Sequence, residues 1–194
     1  MTRAPVLIVL VGFLALAGVG FRAAPSSGII NFASAPRAPQ SARSTFTRNT
    51  LLPKSIVRRL KLSQTRRVAT EVFPGMSERL FVAPATRGDY CYEWVSALGS
   101  TWLAEFSACD VRTRPMVVGY DDTRISIMAN KALVEVVRAK LSNGSEAQLA
   151  LHWVSAPISA GFLLYQPPKG LQVTQIEALK GTSVVETDPI TAIP

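Results

Sequence analysis

Histidine is nearly absent and cysteine is scarce: one His and two Cys in 194 residues. That excludes a multi-histidine metal site, a cysteine-rich zinc module and a disulfide-dense miniprotein. Charge is thin, at 18% of residues, and the first third has no acid at all, since the first carboxylate is Glu71. Residues 1–70 hold eleven Arg and Lys. Residues 71–194 hold ten basic and thirteen acidic residues, so +11 and −3 make the net +8. Basicity therefore belongs to the N-terminal third, and a partner inferred from charge must meet that part. Signature motifs are missing too: no Gly-x-Gly-x-x-Gly, no phosphate-binding loop, no His-Glu-x-x-His, no Gly-x-Ser-x-Gly and no Cys-x-x-Cys. No catalytic constellation, cofactor or metal is expected. Apolar residues are plentiful at 48%, enough for one sizeable core.

Ala4 to Phe21 is an uncharged, strongly apolar run bracketed by Arg3 and Arg22. As a helix, eighteen residues span about 27 Å, near the short end of a membrane crossing. Residues 1–21 read either as an uncleaved anchor helix or as a signal peptide. Ala15-Leu16-Ala17 and Gly18-Val19-Gly20 both offer a small-x-small cleavage site. Residues 22–70 read as a flexible basic linker. Pro25, Pro36, Pro39 and Pro53 interrupt it, and a short helix is allowed from Lys54 to Val68. Its charge suits a solvated tether, or contact with anionic lipid headgroups or an anionic wall polymer. Nucleic acid is disfavoured, because Phe32 and Phe46 alone do not interleave aromatic with basic residues.

Residues 71–194 read as one all-β domain, an antiparallel immunoglobulin-like sandwich of eight or nine strands. Short apolar runs, often alternating, are separated by turn residues. The clearest hairpin runs from Ala132 to Val154; the alternative for residues 131–141 is a helix, against which the charges and the following Asn-Gly weigh. Val137, Ala139 and Leu141 alternate with polar residues, and Asn143-Gly144 makes a turn in which both central positions favour positive φ. Ala147, Leu149, Leu151 and Trp153 share one face of the return. A last hairpin turns at Lys180-Gly181.

Cys91 and Cys109, eighteen apart in strand-like segments, suit a disulfide between neighbouring strands. Such a bond persists in an oxidising compartment, which favours export of the domain. Charge counting alone points the other way: Arg22, Arg37 and the cations after them would keep the body cytoplasmic under the positive-inside rule. Tyr90, Tyr92, Trp94, Trp102 and Trp153 read first as core or one sheet face, and alternatively as an exposed aromatic binding face. Glu93, Glu105 and His152 are the residues a small hydrolase would use. The bland expectation is cross-strand charge partners for the two acids, with Arg112 or Arg114, and a sheet position for His152. Asp121-Asp122 reads as a solvated turn, because calcium-loop spacing is absent.

Val136-x4-Leu141-Ser-Asn-Gly144, Ala160-Gly-Phe-Leu-Leu-Tyr165-x-Pro-Pro and Val173-x2-Ile176-Glu-Ala-Leu179-x-Gly181, with Phe81-Val-Ala-Pro-Ala and Tyr90-Cys91, carry a resemblance. Over residues 78–187 the chain resembles membrane-anchored or secreted β-domain proteins of high-GC bacteria that have no assigned activity. The resemblance implies an exported β-domain and no chemistry. The expectation is a non-catalytic envelope interaction module. It would be held at the cell membrane through residues 4–21 with its C-terminal domain extracytoplasmic, or secreted, and would bind a protein or cell-wall component. The alternatives are a hydrolase, and a domain held to anionic lipid or nucleic acid by its basic linker.

Overall fold

A computed structural model describes residues 28–48, 52–98, 101–109 and 114–190. The apolar run, and with it the anchor or signal expectation, lies outside the described residues. Among the described residues no helix is long and apolar enough to cross a membrane.

The chain forms an all-β, antiparallel, sandwich-like fold, as its alternation implies. Among the described residues the sheets number three, each of four strands. Sheet 1 is a meander of β1 (Arg66–Phe73), β2 (Met76–Pro84), β3 (Tyr90–Leu98) and β4 (Thr101–Cys109). Sheet 2 contains β5 (Met116–Tyr120), β6 (Ile125–Asn130), β9 (His152–Val154) and β10 (Ala160–Tyr165), in the order β5-β6-β10-β9. Sheet 3 contains β7 (Val136–Leu141), β8 (Glu146–Leu149), β11 (Val173–Lys180) and β12 (Ser183–Pro189), in the order β12-β11-β7-β8.

The pleat of each strand dictates the stacking, because alternate residues point to opposite faces. On β3, Tyr90, Tyr92 and Trp94 join Met128, Phe162 and Leu164 in the core between sheets 1 and 2. On β6 and β10, Ile127, Ala129 and Leu163 point the other way and meet Val137, Ala139, Ile176 and Ala178 of sheet 3. Sheet 2 is therefore covered on both faces. That is why Gly161-Phe-Leu-Leu reads as an unbroken apolar run instead of an alternation. Gly161 is required there: a Cβ would lie 2.7 Å from Cε3 of Trp153.

The outer face of sheet 1 carries a further layer, and here the structure corrects the sequence. Residues 28–48 and 52–65 do not form a flexible linker. Helix α1 (Gln40–Arg48) lays Ala42 and Phe46, both 0% exposed, against Phe81, Ala83, Cys91 and Val95. Arg67 N donates to Pro36 O at 2.8 Å and Ala38 N to Thr65 O at 3.0 Å, tying the segment to β1. Small residues do this work. Ala35, Ala38 and Ala42 are buried without forming an apolar run, so the segment reads as a tail. The folded body also begins before residue 71, since β1 starts at Arg66. The helix allowed from Lys54 stops after one turn as α2 (Lys54–Val57).

Cys91 and Cys109 face each other on β3 and β4 with Cα atoms 4.0 Å apart and form the disulfide. A loop of this size stabilises by about 3 kcal/mol in the chain-entropy model. The turn at Asn143-Gly144 differs in type from the expectation. Only Gly144 has positive φ (+81), and Leu141 N donates to Ser145 O at 2.9 Å. That is a three-residue loop closed by a left-handed glycine rather than a two-residue turn. Asn143 Oδ1 instead accepts from Ser145 N at 3.0 Å. Ala147, Leu149, Leu151 and Trp153 do share one core, although the chain passes from sheet 3 to sheet 2 between Leu149 and His152.

Candidate binding cleft

Two connections at one end of the stack build the candidate site. The first is the β5–β6 turn, Asp121 to Arg124. Asp121 Oδ1 accepts from Thr123 N and Arg124 N, each at 2.8 Å, which closes the turn locally. Asp121 Oδ2 accepts from both Arg124 Nε at 3.1 Å and Nη2 at 2.7 Å, two charge-assisted bonds on one oxygen that orient the guanidinium. These hydrogen bonds make it a structured turn. The second is the β10–β11 connection. Pro167 and Pro168 have no N–H to extend β10. Leu171 N donates to Pro168 O at 3.0 Å with Gly170 at φ +82, as a type II turn requires.

Between the two connections lies an open cleft of about 400 Å³. Its apolar lining includes Tyr120, Pro167 and Leu171; Asp122, Lys169 and Gln172 add charge and hydrogen-bonding capacity. Tyr120 is 40% exposed, so its ring is presented to solvent. A rigid aromatic beside a few mobile polar groups can hold an amphipathic ligand by contact and hydrogen bonding.

Arg124 anchors the turn. It is 8% exposed, and its guanidinium meets the carboxylate of Glu78 on β2, which is fully buried. It also lies 3.7 Å from Glu105 Oε2 and 5.5 Å from the ring centre of Phe106. Burial pulls its pKa below the ordinary arginine value. Glu78 without it would be an uncompensated buried charge. The sequence gives no hint of this pairing, because residues 78 and 124 are brought together only by the stacking of sheets 1 and 2.

The five aromatic residues proposed as a binding face do not share one. Tyr90, Tyr92 and Trp94 are buried between sheets 1 and 2, where the two tyrosine rings meet Phe162 edge-on at 6.1 and 5.2 Å. Trp102 is on the opposite face of sheet 1, half-buried, 5.8 Å from Phe81 and with Arg79 5.1 Å over its ring. Trp153 packs between sheets 2 and 3. Their alternation and β-propensity were legible. Which face each would cover was not, because the sequence does not reveal a third sheet.

Glu93, Glu105 and His152 do not converge either. Glu93 is fully buried and accepts from Thr45 Oγ1 of α1. Glu105 is on the other face of sheet 1, where it accepts from Ser96 Oγ at 2.6 Å and neighbours Arg124; Arg112, one of its expected partners, lies outside the described residues. His152 is half-buried on β9, and its Nε2 lies 2.5 Å from Glu71 Oε1 on β1. That contact links the edge strands of sheets 1 and 2. Among the described residues no group of three or more His, Cys, Asp or Glu side chains is placed to hold a metal ion.

Compared with protein-family models, curated proteins and solved structures, the chain matches none.

Proposed function

We propose that the chain is a non-catalytic interaction module of the cell envelope, membrane-tethered or secreted, which binds a protein or cell-wall component at the cleft between the β5–β6 and β10–β11 connections. The observation that carries this reading is the cleft itself: a presented aromatic ring, apolar walls and charged groups free to meet a ligand. The disulfide supports an oxidising compartment, and so export. The resemblance to exported β-domain proteins points the same way.

Two measurements test it. The first is intact mass and thiol titration of native protein from membrane and culture fractions. Full-length or N-terminally processed protein without free thiol is expected, and two free thiols would overturn export. The second is sedimentation of the purified protein with insoluble cell-wall material and with envelope proteins. Tyr120→Ala combined with Lys169→Glu is expected to abolish co-sedimentation while the thermal midpoint stays unchanged. Co-sedimentation that survives both substitutions removes the cleft from the argument.

A further inference from the structure

The basic residues read from sequence as a tether are fixed on an ordered surface. Residues 28–67 contribute nine cations and no acid, and the segment is stitched to sheet 1 by the buried Phe46, Ala42 and Leu52. Of the nine, Arg43 is half-buried, Arg59 pairs with Asp89 at 2.9 Å and Arg66 Nη1 donates to Ala35 O at 3.2 Å. Arg37, Arg48, Lys54, Arg58, Lys61 and Arg67 are exposed, and among the described residues none of the six has a carboxylate partner. Cations already held in place lose less freedom on meeting a partner than cations on a coil. The sequence also says what lies nearby. Phe21 ends the apolar run, and six residues separate it from Gly28, a span of at most about 25 Å.

We propose that this layer is a docking face for the headgroups of an anionic phospholipid bilayer. A bilayer is favoured over a soluble polyanion because an apolar run that suits a membrane stands immediately upstream of the cations. The proposal deepens the tethered form of the envelope reading and rests on it.

The experiment uses the full chain, reconstituted into vesicles of phosphatidylcholine alone or of phosphatidylcholine with phosphatidylglycerol. Flotation reports retention by the vesicles. Mass spectrometry reports how fast arginine- and lysine-directed reagents label each exposed cation. Labelling of Arg37, Arg48, Arg58 and Arg67 should slow several-fold in the anionic vesicles only. It should recover near 1 M salt, where the Debye length falls to about 3 Å. In Lys54→Gln/Lys61→Gln protein the protection should weaken by about fivefold per charge removed. Retention in both vesicles with equal labelling overturns the docking face and leaves the tether standing. Retention by anionic vesicles alone supports the face and removes the tether. Retention by neither overturns both. Equal protection by duplex DNA added to the zwitterionic vesicles overturns the lipid assignment in favour of a soluble polyanion.

Discussion

Tyr92 carries its hydroxyl into the space between sheets 1 and 2, where it meets Ser126 Oγ at 3.2 Å. Burial there pushes the phenol up from 10.0 to about 12, and the Ser126 hydrogen bond opposes only part of the rise. A raised folded-state pKa stabilises the fold fully below the unfolded value and loses that contribution as pH climbs through the folded one. Stability should therefore fall between pH 10 and about 12, by roughly 3 kcal/mol from this residue. Denaturant unfolding across that range checks it, with Tyr92→Phe as the control whose alkaline loss is smaller by that amount. Equal alkaline loss in both proteins would show that Tyr92 is not the titrating group. Trp94 lies beside it, fully buried, with an indole N–H that has no hydrogen-bond partner. The space between these sheets tolerates an unmet donor for the sake of aromatic packing.

The β5–β6 turn shows how a short element is held by something distant in the chain. Arg124 is the clamp, with Asp121 on its own turn, Glu78 on β2 and Glu105 on β4. Arg124→Met should cost about 3–5 kcal/mol, because it strands the Glu78 carboxylate in the interior. Adding Glu78→Leu should restore most of that loss, since a buried ion pair replaced on both sides leaves no orphaned charge. Urea denaturation of the two single variants and the double variant closes the cycle, and strictly additive losses would refute the clamp. At this scale sequence reading did well where periodicity is local. The β7–β8 and β11–β12 hairpins, the Cys91–Cys109 pairing and the polar face of β7 all follow from alternation and turn residues. On that polar face Lys140 and Arg138 hold the Glu177 carboxyl below the ordinary range. It failed where meaning depends on contacts far apart in sequence, as at Glu78–Arg124 and His152–Glu71. Asp121 was legible as a turn residue, whereas Gly170 was not singled out. That their turns face one another across a cleft was not legible.

At the scale of the whole molecule, the described residues form four layers: a helical cover, then sheets 1, 2 and 3. The cover is the part most easily misread, because a few alanines with Phe46 and Leu52 fasten it under a coat of arginine. If the cover is part of the same cooperative unit, Phe46→Ala should lower global stability by about 3–5 kcal/mol, the usual cost of truncating a buried phenylalanine. A single unfolding transition at lower denaturant, seen alike by circular dichroism and tryptophan fluorescence, is the expected result. An unchanged main transition with a separate early one would make the cover an independent appendage. The layering has one more consequence. Positive charge is concentrated in the outermost layer, while residues 71–194 sum to −3. The charge is thus eccentric to the mass, and an electric field exerts a torque on the whole body as well as a pull. Near any negatively charged surface the protein swings cover-first, with the basic layer leading and the rest of the body behind it.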